Sequence, residues 1–261
     1  MNAMQPRPSR VMLAIGSNAP PIGSMQIALH LAAALEAELA SVFVEDVDLL
    51  RVAALPFSQE VGLVSASARP LDPAHVEAML RRRAEQARRA LAELAAESRL
   101  KWSFRVARGT MLLEVMGAAS RADVVVAAGS RAPGTGQTGT LAWEARGAVS
   151  VVFALGEAGE RALSAALSLA GGEPSRLTVL VPADDVGDPH ALRERLARLM
   201  RASGDLPKLV NLQSHGPGEL IREARRRSSR VLVLSPVSLR DGEAGVRWLL
   251  ERGDCPIVLV P

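Results

Sequence analysis

The feature that most constrains this chain is an internal repeat. "RVMLAIGSNAPPIGSMQIALHLA", from Arg10, and "AVSVVFALGEAGERALSAALSLA", from Ala148, follow one plan: an apolar strand, a turn of Gly and small residues, then an Ala-Leu-rich helix. The likeness continues downstream. "ASVFVEDVD" is mirrored by "RLTVLVPADD". "DPAHVEAMLRRRAEQARRALAELAAES" is mirrored by "DPHALRERLARLMRAS", and both open on Asp-Pro. "FRVARGTMLLEVMGAASRADVVVAAGS" is mirrored by "KLVNLQSHGPGELIREARRRSSRVLVLSP", and "EAGVRWLLERGDCPIVLVP" adds a helix and a last strand.

Short continuous apolar runs bounded by Gly or Pro read as strands buried on both faces. Their alternation with helical periodicity implies parallel sheets with right-handed crossovers. The expected class is therefore α/β: two tandem Rossmann-like or flavodoxin-like parallel sheets with helices on both faces. The expected units are 1–147 and 148–261. Two complete copies would need two strands between "ADVVVAAGS" and the second copy's first helix, yet only Ala148 to Leu155 is available. Either one sheet is a strand short or that strand is used at a shared edge.

The best-defined helix follows Asp72, a plausible N-cap, with Pro73 in the first turn and Val76, Leu80, Ala84, Ala87, Leu91 and Leu94 as its apolar stripe. Asp46 to Pro73 reads as an irregular connection, long enough to cover a site or a partner surface.

Composition removes several function classes. Aromatics are 3% of the 261 residues and Tyr is absent, which argues against base-stacking platforms for single strands. A net charge of +3 gives little pull on nucleic acid or a membrane surface. The lone Cys255 excludes an intramolecular disulfide and a Cys-based zinc site, and fits a reducing compartment. No run approaches the roughly 20 apolar residues of a membrane span. The opening "MNAMQPRPSR" lacks a signal-peptide pattern, so the expected location is the cytoplasm.

No hydrolytic or metal constellation emerges. His30, His75, His190 and His215 lack ligand spacing. Ser17 follows a strand without a G-x-S-x-G context. Glu45, Asp46 and Asp48 read as a solvated acidic loop. The arginine runs at 81–83, 88–89 and 225–227 read as solvent faces balanced by Glu85, Glu93 and Glu223. The expectation is a chain without catalytic residues.

One loop invites a ligand. In "VVVAAGSRAPGTGQTGTLAW", Gly134 to Gly139 matches G-x-G-x-x-G, and successive glycines let backbone N–H groups approach an anion. A dinucleotide fingerprint needs the first Gly at the strand end, but Ser130 to Pro133 intervene after Gly129.

"GS" after the first strand, "AGSRAPG" after the fourth and the closing "GDCPIVLVP" make the repeat resemble the universal stress protein family, as a tandem pair. The resemblance implies a Rossmann-like sheet, domain pairing and, in some members, ATP or AMP. It implies a nucleotide-contacting set of Ile15, Gly16, Ser17 and Val44 with Gly129, Ser130, Gly134, Gly136, Gly139 and Thr140.

This sequence departs from the family's nucleotide-binding pattern. Ile15 stands where those members carry Asp. Ala132 replaces the second loop Gly. Six residues, Pro133 to Thr138, stand where nine are expected, and "LSPVSLRDGEAG" in the second copy has no G-x-x-G.

The leading reading is a non-catalytic stress-response or regulatory protein. It would act through a protein partner or self-association of paired domains, with weak or lost ATP or AMP binding in the first unit. The alternatives are an enzyme using the 129–140 loop, either an NAD-dependent dehydrogenase or an ATP-hydrolysing protein, and a pure interaction module regulating a transporter or kinase.

Overall fold

A computed structural model describes residues 9–17, 22–61, 66–96, 98–128, 148–182, 194–196, 198–199, 206–214 and 216–261. The first half comprises β1 (Arg10–Ile15), α1 (Ile22–Ala34), β2 (Glu38–Asp46), α2 (Val47–Ala53), a small hairpin of β3 (Gln59–Val61) and β4 (Ala68–Pro70), α3 (Pro73–Ala95), β5 (Trp102–Gly109), α4 (Met111–Ala119) and β6 (Val124–Ala127). The second comprises β7 (Ala148–Val152), α5 (Glu157–Leu169), β8 (Leu177–Val181), β9 (Lys208–Asn211), α6 (Pro217–Arg226), β10 (Ser229–Leu234), α7 (Gly242–Arg252) and β11 (Ile257–Leu259).

The α/β class and the helices on both faces are as expected. The two parallel sheets are joined into one nine-stranded sheet of order β5-β2-β1-β6-β11-β10-β7-β8-β9. Every pairing is parallel except β11 with β6, which is antiparallel. The order is symmetric about β11: it occupies the position after β6 in one half and after β10 in the other.

The strand shortage is thereby resolved, but not by the strand suspected. Residues 148–152 pair only with β10 and β8, inside the second half, so the shared strand is β11 and not 148–155. The physical reason is the open edge of β6, whose N–H and C=O groups need a partner. With no closing strand of its own among the described residues, the first half takes the last strand of the second.

Two large cores lie on opposite faces of this sheet. Alternate residues divide them: Val11, Leu13 and Ile15 join α1, α3 and α5 on one face, while Met12 and Ala14 join α4, α6 and α7 on the other. The His30 ring in α1 donates from Nε2 to the Ser168 carbonyl of α5 at 3.0 Å, so this histidine fastens one half to the other. The α3 helix begins as expected: the Asp72 carboxylate accepts from the Ala74 N–H at 3.0 Å, and Val76, Leu80, Ala84, Ala87 and Leu91 are buried.

The connection 46–73 is more ordered than its sequence implied. Asp46 caps α2, and Ala53, Val76 and Leu80 form a third, small core where α2 meets α3. A seven-residue helix and three-residue strands are too short to leave a periodic signal.

Candidate functional site

Because the halves run in opposite directions, the carboxyl ends of β1, β2, β5 and β6 share an edge of the sheet with the amino ends of β7, β8, β9, β10 and β11. Ligands of open α/β sheets bind beyond strand carboxyl ends, which makes the first half of this edge the candidate site. Ala128, after β6, and Ala148, opening β7, both lie at it. Three strand spacings, about 14 Å, separate their strands. The connection between them carries Gly129, Ser130, Gly134, Gly136, Gly139 and Thr140, which lie outside the described residues.

The other four implicated residues are brought together by the β1–β2 pairing. Ile15 is fully buried in the core facing α1 and α3, so its side chain packs rather than presents itself to a ligand. Gly16 sits close to α4: a Cβ there would lie 3.1 Å from the Met111 methyl, which would have to shift by a few tenths of an ångström. The Ser17 hydroxyl donates to the Val44 carbonyl at 2.9 Å and accepts from the Asp46 N–H at 3.3 Å, tying the end of β1 to the end of β2. The Arg83 guanidinium of α3 donates to the Ser17 carbonyl.

The acidic cluster is not a loop, since Glu45 and Asp46 end β2 and Asp48 lies in α2; Asp46 and Asp48 are exposed as the sequence implied, and Glu45 corrects that reading. Glu45 is only 7% exposed, and its carboxylate accepts from Arg108 Nε at 2.8 Å across the β2–β5 pair. The same guanidinium donates to Glu77 of α3 at 3.3 Å. The hydrogen bond and charge of Glu45 raise the Arg108 pKa above its ordinary value, with Glu77 adding to it. Asp46 accepts from the Asp48 and Leu49 N–H groups, and Asp48 pairs with Arg51 on the surface. Glu45, Glu77, Arg83 and Arg108 were not singled out as a site. The available signal was the strand register, which sets Glu45 opposite Arg108.

This arrangement fastens three strand ends and α3 together. Its carboxylates are committed to a guanidinium, which suits positioning better than proton transfer. Among the described residues no group of three or more His, Cys, Asp or Glu side chains could hold a metal ion. No described helix is long and apolar enough to cross a membrane. Burial pushes the Cys255 thiol up to about 11, with the Asp254 charge adding to it, as befits an unreactive packing residue.

No family model matches the sequence, and no curated protein matches it. Solved structures do. A universal stress protein from Archaeoglobus fulgidus aligns over 95% of each chain with a TM-score of 0.53 at 11% identity. A putative universal stress protein from Pseudomonas aeruginosa aligns over 96% of this chain and 92% of its own, with a TM-score of 0.47 at 11% identity. The likeness is one of fold. Helices on both faces of a parallel-dominated sheet are what this chain shares with the archaeal protein.

In the arginine runs Glu85 and Glu223 are partners as the sequence implied, Glu77 and Asp254 are partners it did not name, and half-buried Arg83 binds the Ser17 carbonyl rather than lying on a solvent face. Arg81 meets Glu77, Arg88 meets Glu85, and Arg226 and Arg227 both meet Glu223.

Proposed function

We propose that this chain is a cytoplasmic, non-catalytic regulatory protein of the stress-response type, a tandem of units 1–147 and 148–261, and that it acts by associating with another protein. One observation carries the reading. Val52, Leu55, Phe57 and Val61, in the connection between β2 and α3, are 48%, 44%, 77% and 62% exposed. No other stretch of ten described residues holds more than two large apolar side chains so exposed. Monomeric proteins rarely leave such side chains grouped in the open unless a partner covers them. The inner residues of the same segment are buried against α3, so the outer ones sit on a supported surface.

The first-half edge supports the accompanying reading of weak or lost ATP or AMP binding. Ile15 is committed to the core, and the Ser17 hydroxyl is satisfied within the fold. The double variant Phe57→Ser, Val61→Thr tests the association. It should shift the protein to a smaller apparent size in cell extract while leaving the thermal midpoint of the purified chain unchanged. An unchanged size in extract contradicts the reading.

A further inference from the structure

At the same edge of the sheet, in the second half, the amino ends of β7, β8 and β9 and the carboxyl end of α6 border an open cavity of about 590 Å³. Among the described residues, Arg176, Lys208, Arg226 and Arg227 line it, with the hydroxyl-bearing Ser175 and Thr178, and no carboxylate does. Ala148 and Leu177 supply its apolar wall. We propose that this cavity binds a chain of two or three phosphates, free or carried by a small molecule.

Volume and charge both favour this. The cavity falls in the range of about 300–1,000 Å³ that small-molecule sites occupy. Arginine forks match phosphate oxygens bidentately, while lysine adds a point charge. The opposing charges are few. Arg226 lies 2.9 Å and Arg227 3.5 Å from one carboxylate, Glu223, and Arg176 lies 3.5 Å from Glu173. Among the described residues, four cations face those two carboxylates and the roughly half negative charge of the α6 carboxyl end, a net positive balance.

The repeat supplies an internal control. The last residue of α4 and its C-cap, where α6 carries Arg226 and Arg227, are Ala119 and Ser120. α4 keeps one basic side chain a position later, Arg121, whose Nε donates to the Gly117 carbonyl at 2.9 Å, so the fold does not require an arginine pair at these two positions. Cations at a helix carboxyl end interact favourably with the dipole, and Arg225 already serves there while paired to Asp254. The further pair beside Lys208 adds charge where the strands end and a cavity opens.

Calorimetric titration of the full chain with inorganic tripolyphosphate tests the proposal. One saturable site is expected, weakening as salt is raised. Lys208→Gln and Arg226→Gln should each weaken it about tenfold, as loss of one charge-assisted contact implies. Both side chains are on the surface, and circular dichroism checks that the variants stay folded. Arg82→Gln, on the outer face of α3, should leave binding unchanged. Competition by ATP at similar strength would mean the phosphates alone are read, and much tighter ATP would mean a nucleotide; either agrees with the proposal, provided Lys208→Gln weakens it. No saturable binding up to about 1 mM, binding indifferent to both variants, or binding of single-stranded DNA that tripolyphosphate cannot displace would overturn it.

Discussion

Val258 of β11 lies directly opposite Val126 of β6, in antiparallel register, and both side chains are fully buried. This contact makes one sheet of the two halves. Val258 also pairs with Val233 of β10, so a single residue closes both halves. The two halves should therefore unfold as one unit. Trp102 opens β5 at one end of the sheet and Trp248 lies in α7 of the other half. Urea transitions followed by tryptophan fluorescence and by far-ultraviolet circular dichroism should coincide. Val258→Asp, which buries an unpaired charge, should cost about 3–5 kcal/mol in both signals together. Two separated transitions would contradict the shared strand.

The turn from β7 into α5 depends on Gly159. A Cβ at this position would lie 1.8 Å from the Ala154 carbonyl oxygen, a clash with backbone that no rotamer relieves. Gly159→Ala should destabilise the fold by about 3 kcal/mol or more, beyond ordinary overpacking. Gly156 has φ +116° with open space around it, so Gly156→Ala should cost less, about 1–3 kcal/mol of backbone strain. Chemical denaturation of the two variants would rank them, and an equal cost would contradict the clash.

Glu219 makes part of the stability acid-sensitive. Burial would raise its pKa, but the Ser214 hydroxyl and the Gln213 and Ser214 N–H groups, with the Arg222 charge, outweigh burial and hold it below the ordinary carboxylate value. A depressed folded-state pKa gives stability that is present above the unfolded-state value and lost as pH falls through the folded-state value. Thermal midpoints measured from pH 6 downward should fall below about pH 4.5, and Glu219→Gln should flatten that part of the fall. An unaltered pH profile in the variant would show that the carboxylate plays no such part.

Much of the fold was legible because its strands are buried on both faces. Runs such as those at Val11–Ile15 and Val124–Ala127 carry only apolar residues, and the Asp72-Pro73 start and 3.6-residue stripe of α3 are unambiguous. The pairing of β11 with β6 was not legible. Nothing in Ile257–Leu259 encodes whether a neighbour runs parallel or antiparallel; the open edge of another strand decides it. The Glu45–Arg108 pair was missed for a related reason. Residues 63 apart in sequence meet only through register, so the acid looked solvated and the arginine unremarkable. Ile15, Gly16, Ser17 and Val44 were expected together and are together, but the burial of Ile15 and the Ser17–Val44 hydrogen bond follow from tertiary packing.

The apolar surface of the β2–α3 connection is the centre of the functional account, and Phe57, 77% exposed, is its most prominent side chain. The most direct measurement replaces Phe57 with a photo-crosslinking phenylalanine analogue and irradiates living cells. The same probe at exposed Arg82 is the control. Association through this surface predicts a discrete crosslinked species from position 57, of one partner or of a second copy of the chain, that is absent from position 82. No crosslink at position 57 beyond that at 82 would contradict it.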